Sequence, residues 1–575
     1  MKKDEQSKKE NKAKSTNKTK QTELKKRKKF NINFTIVAII LIAIFCVCIT
    51  PRTLQNDTFY SIKIGELIKN NGIDMMDHFS WHENLSYTYP HWLYDFLTYF
   101  IYLIAGFKSI YIVTCILSAL LGISVFLVNS KTTKSKPISF IITIGVMYAL
   151  KPYIAARAQL VTFILFIWEL YCIERFIENK KIRYAITLVI ISTLIANLHV
   201  ATWPFFFILF LPYIAEYIIS VVSDIVIYKK TKKLVIKHKM KVAQKNNNIE
   251  RIKELQIKLN ELEEKNEKIK QKRKDTNKNS YKILLNKNDN VKFLIIVMVI
   301  CAFTGLITPT GDTPYTYLYK TMKGNTTENI SEHQPLTLIN NTDAICTLVI
   351  LISILTFTKT KIKLSDLFFV GGLCYLMFSS RRQFSMLVLI GSVVLGRLIV
   401  DMITRYSKNG LKDVDDVVKN NLVLVLLTIL MGIFSYNSIK PVLDDKFVSE
   451  KSYPVSACDF ILENIDLGTA KFYNEYNYGS YMLFRGIPVF IDSRADLYAP
   501  EFSGNKDEDI FSDFINTSSI SKYYEDTFEK YNITHVILGK KSKTNLIINK
   551  SHDENYKEIY SDDNFVIYER LNAKK

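Results

Sequence analysis

Residues 34–50 read FTIVAIILIAIFCVCIT, an apolar run without a charged side chain. A helix that crosses a bilayer needs about 20 mostly apolar residues, and ten more runs along the chain approach that length. A soluble fold of 575 residues does not need so many. We therefore predict an α-helical polytopic membrane protein with about eleven transmembrane helices. The predicted spans are 34–50, 109–129, 137–151, 159–177, 184–203, 204–226, 292–309, 343–358, 364–380, 383–400 and 421–437.

The basic residues between these runs predict the orientation. Residues 1–33 form a Lys-rich tail that we expect to be disordered and cytoplasmic, and no cleavage motif follows the first run, which is predicted to be an uncleaved helix. With alternating crossings, every lysine cluster between spans falls on the cytoplasmic side. The segment Trp92–Phe107 would break this alternation, so we predict an interfacial or re-entrant helix there. The chain is thus predicted to be a multi-pass cell-membrane protein with residues 441–575 outside the cell.

The net charge of +21 agrees with this topology. Most of the excess lies in segments predicted to be cytoplasmic, so nucleic acid is not an expected partner, whereas membrane lipids are. Seven of the eight cysteines lie inside apolar runs. They show neither a disulfide framework nor a paired zinc-ligand spacing.

A cytoplasmic insertion, residues 229–291, interrupts the predicted membrane domain, residues 34–440. Its apolar residues follow alternating three- and four-residue steps over about three heptads, as in a coiled coil. The seam can serve a partner or homodimer, or it can close an antiparallel helical hairpin within the chain. It can also belong to a solvated helical insertion without a partner. The seam residues are Ile252, Leu255, Leu259, Leu262 and Ile269, with Asn266 in the remaining position.

Residues 441–575 are predicted to form an extracytoplasmic α/β domain, because the segment is long enough for its own core and its short β-rich stretches are bounded by Gly, Asn or Asp. The predicted strands are Lys471–Tyr476, Pro488–Ile491, His535–Leu538 and Asn564–Glu569, and the predicted helices are Ala457–Asn464 and Ser521–Tyr531.

The predicted outer loop, residues 51–108, places carboxylates directly after the first span. Asp57 can accept a proton from a hydroxyl or hold a divalent cation on a phosphate, or it can cap the amphipathic helix that follows. Asp77 and His78 allow a similar choice between an acid/base or metal pair and an ordinary capped turn.

Three arginines oppose the positive-inside trend on the predicted outer side. They are Arg157, Arg381 and Arg382. Guanidinium groups suit a phosphate or pyrophosphate, and the alternative is contact with lipid headgroups. Other polar candidates at the same predicted face are Gln159, Asn197, His199, Glu332 and His333.

These motifs also occur in a recognisable order. They are Asp57-Thr58, Gly65, Gly72, Asp77-x-Phe79-Ser80, Trp92-Leu93, Arg157-x-Gln159-Leu160, Asn197-Leu198-His199, Glu332-x-Gln334-Pro335, Tyr453-Pro454-Val455, Asn474-Glu475-Tyr476-Asn477-Tyr478-Gly479-Ser480-Tyr481 and Val489-Phe490-Ile491-Asp492-Ser493-Arg494-Ala495-Asp496-Leu497-Tyr498. The order resembles a largely uncharacterised bacterial family of multi-spanning proteins. That family is grouped with the C-class membrane glycosyltransferases, which include protein O-mannosyltransferases.

The resemblance implies a polyprenyl-phosphate-linked sugar donor, a glycan, lipid or protein acceptor, and a carboxylate in the first outer loop as base or metal ligand. By position, that role falls to Asp57. Such proteins often carry Trp-Trp-His after the aspartate, where this chain has Phe59-Tyr60-Ser61. A histidine role is lost there, and a divalent cation is the one cofactor left to consider. In the C-terminal segment, Asp492, Arg494 and Asp496 can bind an acceptor sugar or form an internal salt-bridged turn.

The resulting hypothesis is an inverting glycosyltransferase that acts at the outer face of the membrane. Asp57, assisted by Asp77, is expected to deprotonate the acceptor, and the arginines are expected to stabilise the departing phosphate. Two other classes stay open: a transporter or flippase of a lipid-linked or anionic solute, and a non-catalytic envelope assembly protein. The sequence contains no nucleotide-binding loop motif, which disfavours an ATP-driven pump.

Overall fold

The structure is a computed structural model, and its described residues are 33–227, 230–274, 282–503 and 508–573. The chain is mainly helical within them, with a sheet near the C-terminus. The predicted tail, residues 1–33, lies outside the described residues except for Asn33. The side chain of Asn33 caps the first helix by accepting a hydrogen bond from the backbone N–H of Thr35.

Helices occupy every interval that the sequence predicts to cross the membrane. Up to the C-terminal domain they are α1 (Phe34–Ile49), α2 (Asn56–Asn71), α3 (Trp92–Ala105), α4 (Phe107–Thr133), α5 (Lys136–Ala149), α6 (Ala158–Asn179), α7 (Ile182–Leu198), α8 (Trp203–Ile208), α9 (Leu211–Ile227), α10 (Lys230–Lys245), α11 (Ile249–Lys274), α12 (Val291–Ala302), α13 (Thr313–Lys323), α14 (Thr326–Asn329), α15 (Thr342–Phe357), α16 (Leu364–Ser379), α17 (Phe384–Tyr406), α18 (Gly410–Val417) and α19 (Asn421–Ile439).

Four helical segments of the described chain are long and apolar enough to cross a membrane. They are Phe107–Thr133, Val200–Val226, Arg381–Tyr406 and Asn421–Val442. Seven further apolar helices are shorter, between 10 and 17 residues. The structure therefore indicates association with a membrane, while the eleven crossings and their direction stay predictions.

Two close helix contacts depend on glycine. A Cβ atom at Gly122 of α4 would lie 2.5 Å from the Sγ of Cys46 in α1. A Cβ atom at Gly65 of α2 would lie 2.2 Å from the backbone oxygen of Asp95 in α3. Both distances are far below a normal contact, so any side chain would push the helices apart. The second contact seats α2 on α3 and thereby positions Asp57, which is in the first turn of α2.

The described part of the insertion, residues 230–274, forms a helical hairpin, one of the structures that the seam allows. Helices α10 and α11 fold back on each other, and the Nζ of Lys233 lies 2.6 Å from the Oε1 of Glu263. Leu255 and Leu259 of the seam are buried, whereas the side chain of Ile269 lies outside the described residues. The hairpin therefore covers its own seam, which does not require a partner or a second copy.

The C-terminal domain is built around a four-stranded sheet. Its helices are α20 (Val455–Asn464), α21 (Tyr476–Phe484), α22 (Pro500–Ser503), α23 (Ile510–Ser519), α24 (Tyr524–Lys530) and α25 (Lys543–Ser551). Numbered along the whole chain, the strands are β1 (Ile283–Leu284) and β2 (Ile362–Lys363), which lie outside this domain, and β3 (Phe472–Tyr473), β4 (His535–Gly539), β5 (Tyr556–Ser561) and β6 (Phe565–Arg570), which lie within it. The sheet has the order β3-β4-β6-β5, with β3 parallel to β4 and the other pairs antiparallel, while β1 and β2 form a separate parallel pair.

This sheet confirms that the C-terminal region combines strands with helices, but its strands differ from the predicted ones. The prediction of a strand at Pro488–Ile491 is wrong, because that buried segment makes only an isolated bridge, from Val489 to Ser80 of loop 51–108. Strand β5, which pairs with β6, was not predicted from the sequence. Both differences arise because strand pairing depends on partners distant in the sequence.

Loop 51–108 and the C-terminal domain share one hydrophobic core. The ring of Phe59 is fully buried, and its centroid lies 5.0 Å from that of Tyr453 and 5.1 Å from that of Tyr481. The indole N–H of Trp81 donates to the backbone oxygen of Phe472 over 2.9 Å. Loop and domain therefore lie on the same side of the helical bundle, here called the loop side.

Candidate functional site

A cavity of 1070 Å³ lies between the loop side of the helical bundle and the C-terminal domain. Ligand sites commonly measure about 300–1,000 Å³, so this one can hold a large ligand. The predicted site residues that line it are Asp57, Arg157, Gln159, His199, Glu332, His333, Arg382, Arg494 and Asp496. The structure thus brings together groups from six separate segments of the chain.

Asp57 does not cap helix α2. The N-cap position is held by Gln55, which makes no side-chain capping hydrogen bond. The carboxylate of Asp57 instead pairs with Arg157, whose Nε lies 2.7 Å from its Oδ2. The Asp57 side chain is 22% exposed and lines the cavity. The capping interpretation is therefore wrong, and a ligand can reach this carboxylate.

Arg157 joins two carboxylates at the cavity wall. It precedes α6 with an extended backbone, and its Nη1 lies 3.4 Å from the Oε1 of Glu332. Burial lowers the pKa of Arg157, but the charges of Asp57 and Glu332 outweigh burial and raise this pKa above its ordinary value. Burial likewise raises the pKa of Glu332, but the charges of Arg157 and Arg382 hold that pKa below its usual range. Arg157 and Glu332 are therefore both charged near neutral pH.

The neighbours Arg382 and Arg381 lie in different surroundings. Arg382 lines the cavity, and its Nη2 donates to the Oε1 of Gln159 over 3.4 Å. Among the described residues, no carboxylate oxygen lies within 4.0 Å of its guanidinium nitrogens. Arg381 is exposed and lies outside the cavity wall. Of the two predicted phosphate-binding arginines, only Arg382 is therefore placed for a ligand in the cavity.

Two histidines stand side by side in the cavity wall. The ring centroids of His91 and His199 are 5.0 Å apart. The backbone N–H of Val200 donates to the oxygen of Pro90 over 3.0 Å, which ties the two segments together. Pro90 and Val200 are the sequence neighbours of His91 and His199, so this hydrogen bond fixes the spacing of the two rings.

The ring of His91 is neutral at physiological pH. Burial, followed by the charges of Arg382 and Arg157, lowers the pKa of His91 to about 3. Burial and Arg382 also lower the pKa of His333, another lining residue. Among the described residues, the positive charges beside these two rings therefore belong to the arginines.

Asp77 and Asp492 are not free to act in the cavity. The Nη1 of Arg494 lies 2.6 Å from the Oδ1 of Asp77, and its Nε and Nη2 donate to Asp492 over 2.9 and 2.7 Å. The three side chains are at most 3% exposed. Burial raises the pKa of Asp77, but Arg494 and hydrogen bonds from Ser80 outweigh it and lower this pKa. Asp77 is therefore not placed to assist Asp57 as the sequence predicts. Of the two alternatives for Asp492 and Arg494, the structure shows the internal salt-bridged turn.

Three other predicted residues have structural partners. His78 is exposed and outside the cavity wall, with its Nε2 2.6 Å from the Oδ2 of Asp74. Asn197 does not line the cavity either, and its Oδ1 accepts from the indole N–H of Trp92 over 3.0 Å. Asp496 lines the cavity, where it accepts hydrogen bonds from the hydroxyl groups of two neighbouring side chains. These donors are Tyr317 and Thr326, at 2.5 and 3.0 Å.

The described residues do not fit a bound metal ion. They contain no group of three or more His, Cys, Asp or Glu side chains placed to hold one. Asp57 and Glu332, two carboxylates of the cavity wall, are both paired with Arg157. No step is therefore assigned to the divalent cation that the sequence left open.

Several lining residues were not assigned from the sequence. They are His91, Tyr60, Tyr94, Tyr317 and Tyr476. His91 adjoins the Trp92-Leu93 motif, and Tyr476 lies inside the motif Asn474–Tyr481. Both residues could therefore have been found from motifs that the sequence analysis names. Aromatic residues are abundant in this chain, with 33 Tyr and 35 Phe, and abundance hides such individual roles.

No protein-family model and no curated protein sequence matches the chain. The resemblance described from its motifs is therefore a hypothesis. The geometry of the cavity does not depend on it, because each contact above follows from the positions of this chain's own atoms.

Proposed function

We propose that this chain is a membrane glycosyltransferase of the C class. It moves a sugar from a polyprenyl-phosphate-linked donor to a glycan, lipid or protein acceptor on the outer face of the cell membrane. In this proposal the eleven predicted crossings hold, and the loop side of the bundle is the outer side. A transporter of an anionic solute would use the same arginines without a base.

The guanidinium of Arg382 carries this proposal. It faces a cavity of 1070 Å³ without a carboxylate partner within 4.0 Å among the described residues. Removing a cation from water without a counter-charge is costly, so such a group favours an anionic ligand. The Arg157–Asp57 pair lies in the same wall. One wall therefore holds a cation suited to a phosphate and a carboxylate suited to act as a base, which supports the proposal.

The reaction follows from these two groups. The acceptor hydroxyl transfers its proton to the Asp57 carboxylate while its oxygen forms a bond to the anomeric carbon of the donor sugar. The bond between that carbon and the phosphate oxygen breaks, and its electron pair leaves with the polyprenyl phosphate. Arg157 and Arg382 stabilise the charge that develops on this leaving group. Attack opposite to the leaving group inverts the anomeric centre.

Replacing Arg382 by Ala should weaken binding of farnesyl phosphate about 10–100-fold, because a charge-assisted hydrogen bond to phosphate is worth about 1.5–3 kcal/mol. Binding is measured by microscale thermophoresis of the full chain in detergent. The matched control is Arg381→Ala, which removes the same charge one residue away and outside the cavity wall. Equal losses in both variants would count against a specific phosphate site and favour a general electrostatic effect.

The hairpin offers a test of the assembly alternative. Leu234 of α10 and Ile257 of α11 are 68% and 60% exposed, which would suit a docking partner. For an enzyme, replacing residues 230–274 by a short Gly-Ser linker should leave the transfer rate per folded molecule within about twofold, because the cavity contains no hairpin residue. Transfer is followed with a radiolabelled sugar donor in purified protein. Loss of transfer in correctly folded protein would favour the assembly role.

A further inference from the structure

His91 and His199, the adjacent histidines of the cavity wall, have different hydrogen-bonding roles. Thr162 donates its only hydroxyl proton to the backbone oxygen of Ala158 over 3.0 Å, and its oxygen lies 3.1 Å from the Nδ1 of His199. Both contacts form at once only when the Nδ1 of His199 carries the proton. In that tautomer the Nε2 of His199 is unprotonated and can only accept a hydrogen bond.

His91 takes the opposite tautomer. The hydroxyl of Tyr60 lies 3.4 Å from its Nδ1 and has no other hydrogen-bond partner among the described residues. Burial raises the pKa of Tyr60 far above its usual value, so the hydroxyl keeps its proton. A buried hydroxyl needs an acceptor, and Nδ1 of His91 is the one available. The ring proton then lies on Nε2, which can only donate.

We propose that His91 and His199 form a hydroxyl-binding pair, here called the histidine pair, that holds the sugar of a glycosyl phosphate beside the arginines. Neither Nε2 has a hydrogen-bond partner among the described residues, and both residues line the cavity. One nitrogen donates and the other accepts, which matches a sugar hydroxyl or two vicinal hydroxyls. This inference rests on the proposed glycosyltransferase function and names the contacts that recognise its donor.

The position of the pair fits a sugar that is attached to a phosphate. The charges of Arg382 and Arg157 reach the ring of His91 and lower its pKa. Both arginines line the same cavity as the histidine pair. Hydroxyl groups of a glycosyl phosphate likewise lie next to its anionic group. Neutral rings can bind these hydroxyls without adding charge, so the arginines bind the phosphate and the histidine pair binds the sugar.

This division of roles makes a distinct prediction about affinity. Farnesyl phosphate is a monoester with a charge of about −1.5 to −2 near neutral pH, whereas its glycosyl ester is a diester with a single negative charge. Electrostatic attraction by the arginines therefore favours the bare phosphate. A preference for the glycosylated compound must come from contacts with the sugar.

The test compares the full chain with variants in binding to farnesyl phosphate and to its glucosyl, galactosyl, mannosyl and arabinosyl esters. Wild type should prefer at least one ester. His91→Phe and His199→Phe should reduce that preference about 10–100-fold, which is the usual effect of leaving a bound hydroxyl unpaired. His78→Phe is the matched control, because His78 is exposed and outside the cavity wall. The corresponding hexose 1-phosphates, added as competitors, show whether free sugar phosphates are bound as well.

Each result bears on the histidine pair directly. A wild-type chain that does not prefer any ester overturns it, and so does a preference that survives both Phe variants. Unchanged binding of bare farnesyl phosphate shows that a variant is folded. Where a Phe variant loses both kinds of probe, His91→Gln and His199→Gln decide, because an amide can restore either hydrogen bond. All of these results are independent of transfer, which is assayed separately and tests the proposed function.

Discussion

Asp57→Asn is expected to lower the transfer rate by about 10²–10⁴-fold, the range over which a general base contributes to catalysis. The amide is isosteric with the carboxylate but cannot take the acceptor proton. Arg157 keeps its second partner, since its Nη1 lies 3.4 Å from Glu332. Donor binding should therefore be kept or become tighter, so that kcat falls while KM for the donor does not rise. Steady-state kinetics with a radiolabelled donor separate these two parameters.

The matched control for this variant is Asp74→Asn. Asp74 is an exposed carboxylate of the same loop, it pairs with His78, and it lies outside the cavity wall. Its transfer rate should stay close to that of wild type. A flippase makes the contrary prediction, because movement of a lipid-linked solute needs no base and would continue in Asp57→Asn. Full sugar transfer by Asp57→Asn would remove Asp57 from the mechanism.

The sequence predicts the positions of the helices well, because long apolar runs leave few alternatives to a helix in a membrane. It predicts the cavity residues less completely. The two neighbouring arginines have the same sequence context, yet only Arg382 faces the cavity. The difference comes from a turn in which the N–H groups of Arg381 and Arg382 donate to Gln334 and Glu332. No local pattern encodes a contact between segments so far apart.

The same limit explains the placement of Asp77. Its partner Arg494 is 417 residues further along the chain. An Asp–His–x–Ser stretch can equally precede a turn or line an active site, and local chemistry does not distinguish these cases. Burial decides between them, because the Asp77 side chain is 1% exposed and paired. The cluster of Asp77, Asp492 and Arg494 is therefore structural, and it joins loop 51–108 to the C-terminal domain.

This cluster carries the largest expected effect on stability. Arg494→Leu should lower the free energy of unfolding by about 3–5 kcal/mol, the range for removal of one partner from a buried ion pair. The loss arises because Asp77 and Asp492 would remain buried, at 1% and 0% exposure, without their cation. Thermal unfolding of the full chain in detergent, followed by tryptophan fluorescence, measures the shift of the midpoint.

Two comparisons isolate the charge effect. Arg485→Leu removes an arginine of the same domain whose partner, Asp459, is 54% exposed, so it should cost less than about 1 kcal/mol. Adding Asp77→Asn and Asp492→Asn to Arg494→Leu should restore part of the lost stability, because the amides no longer leave buried negative charge without a partner. If the triple variant were no more stable than Arg494→Leu, lost packing of the long Arg494 side chain would explain the effect better than uncompensated charge.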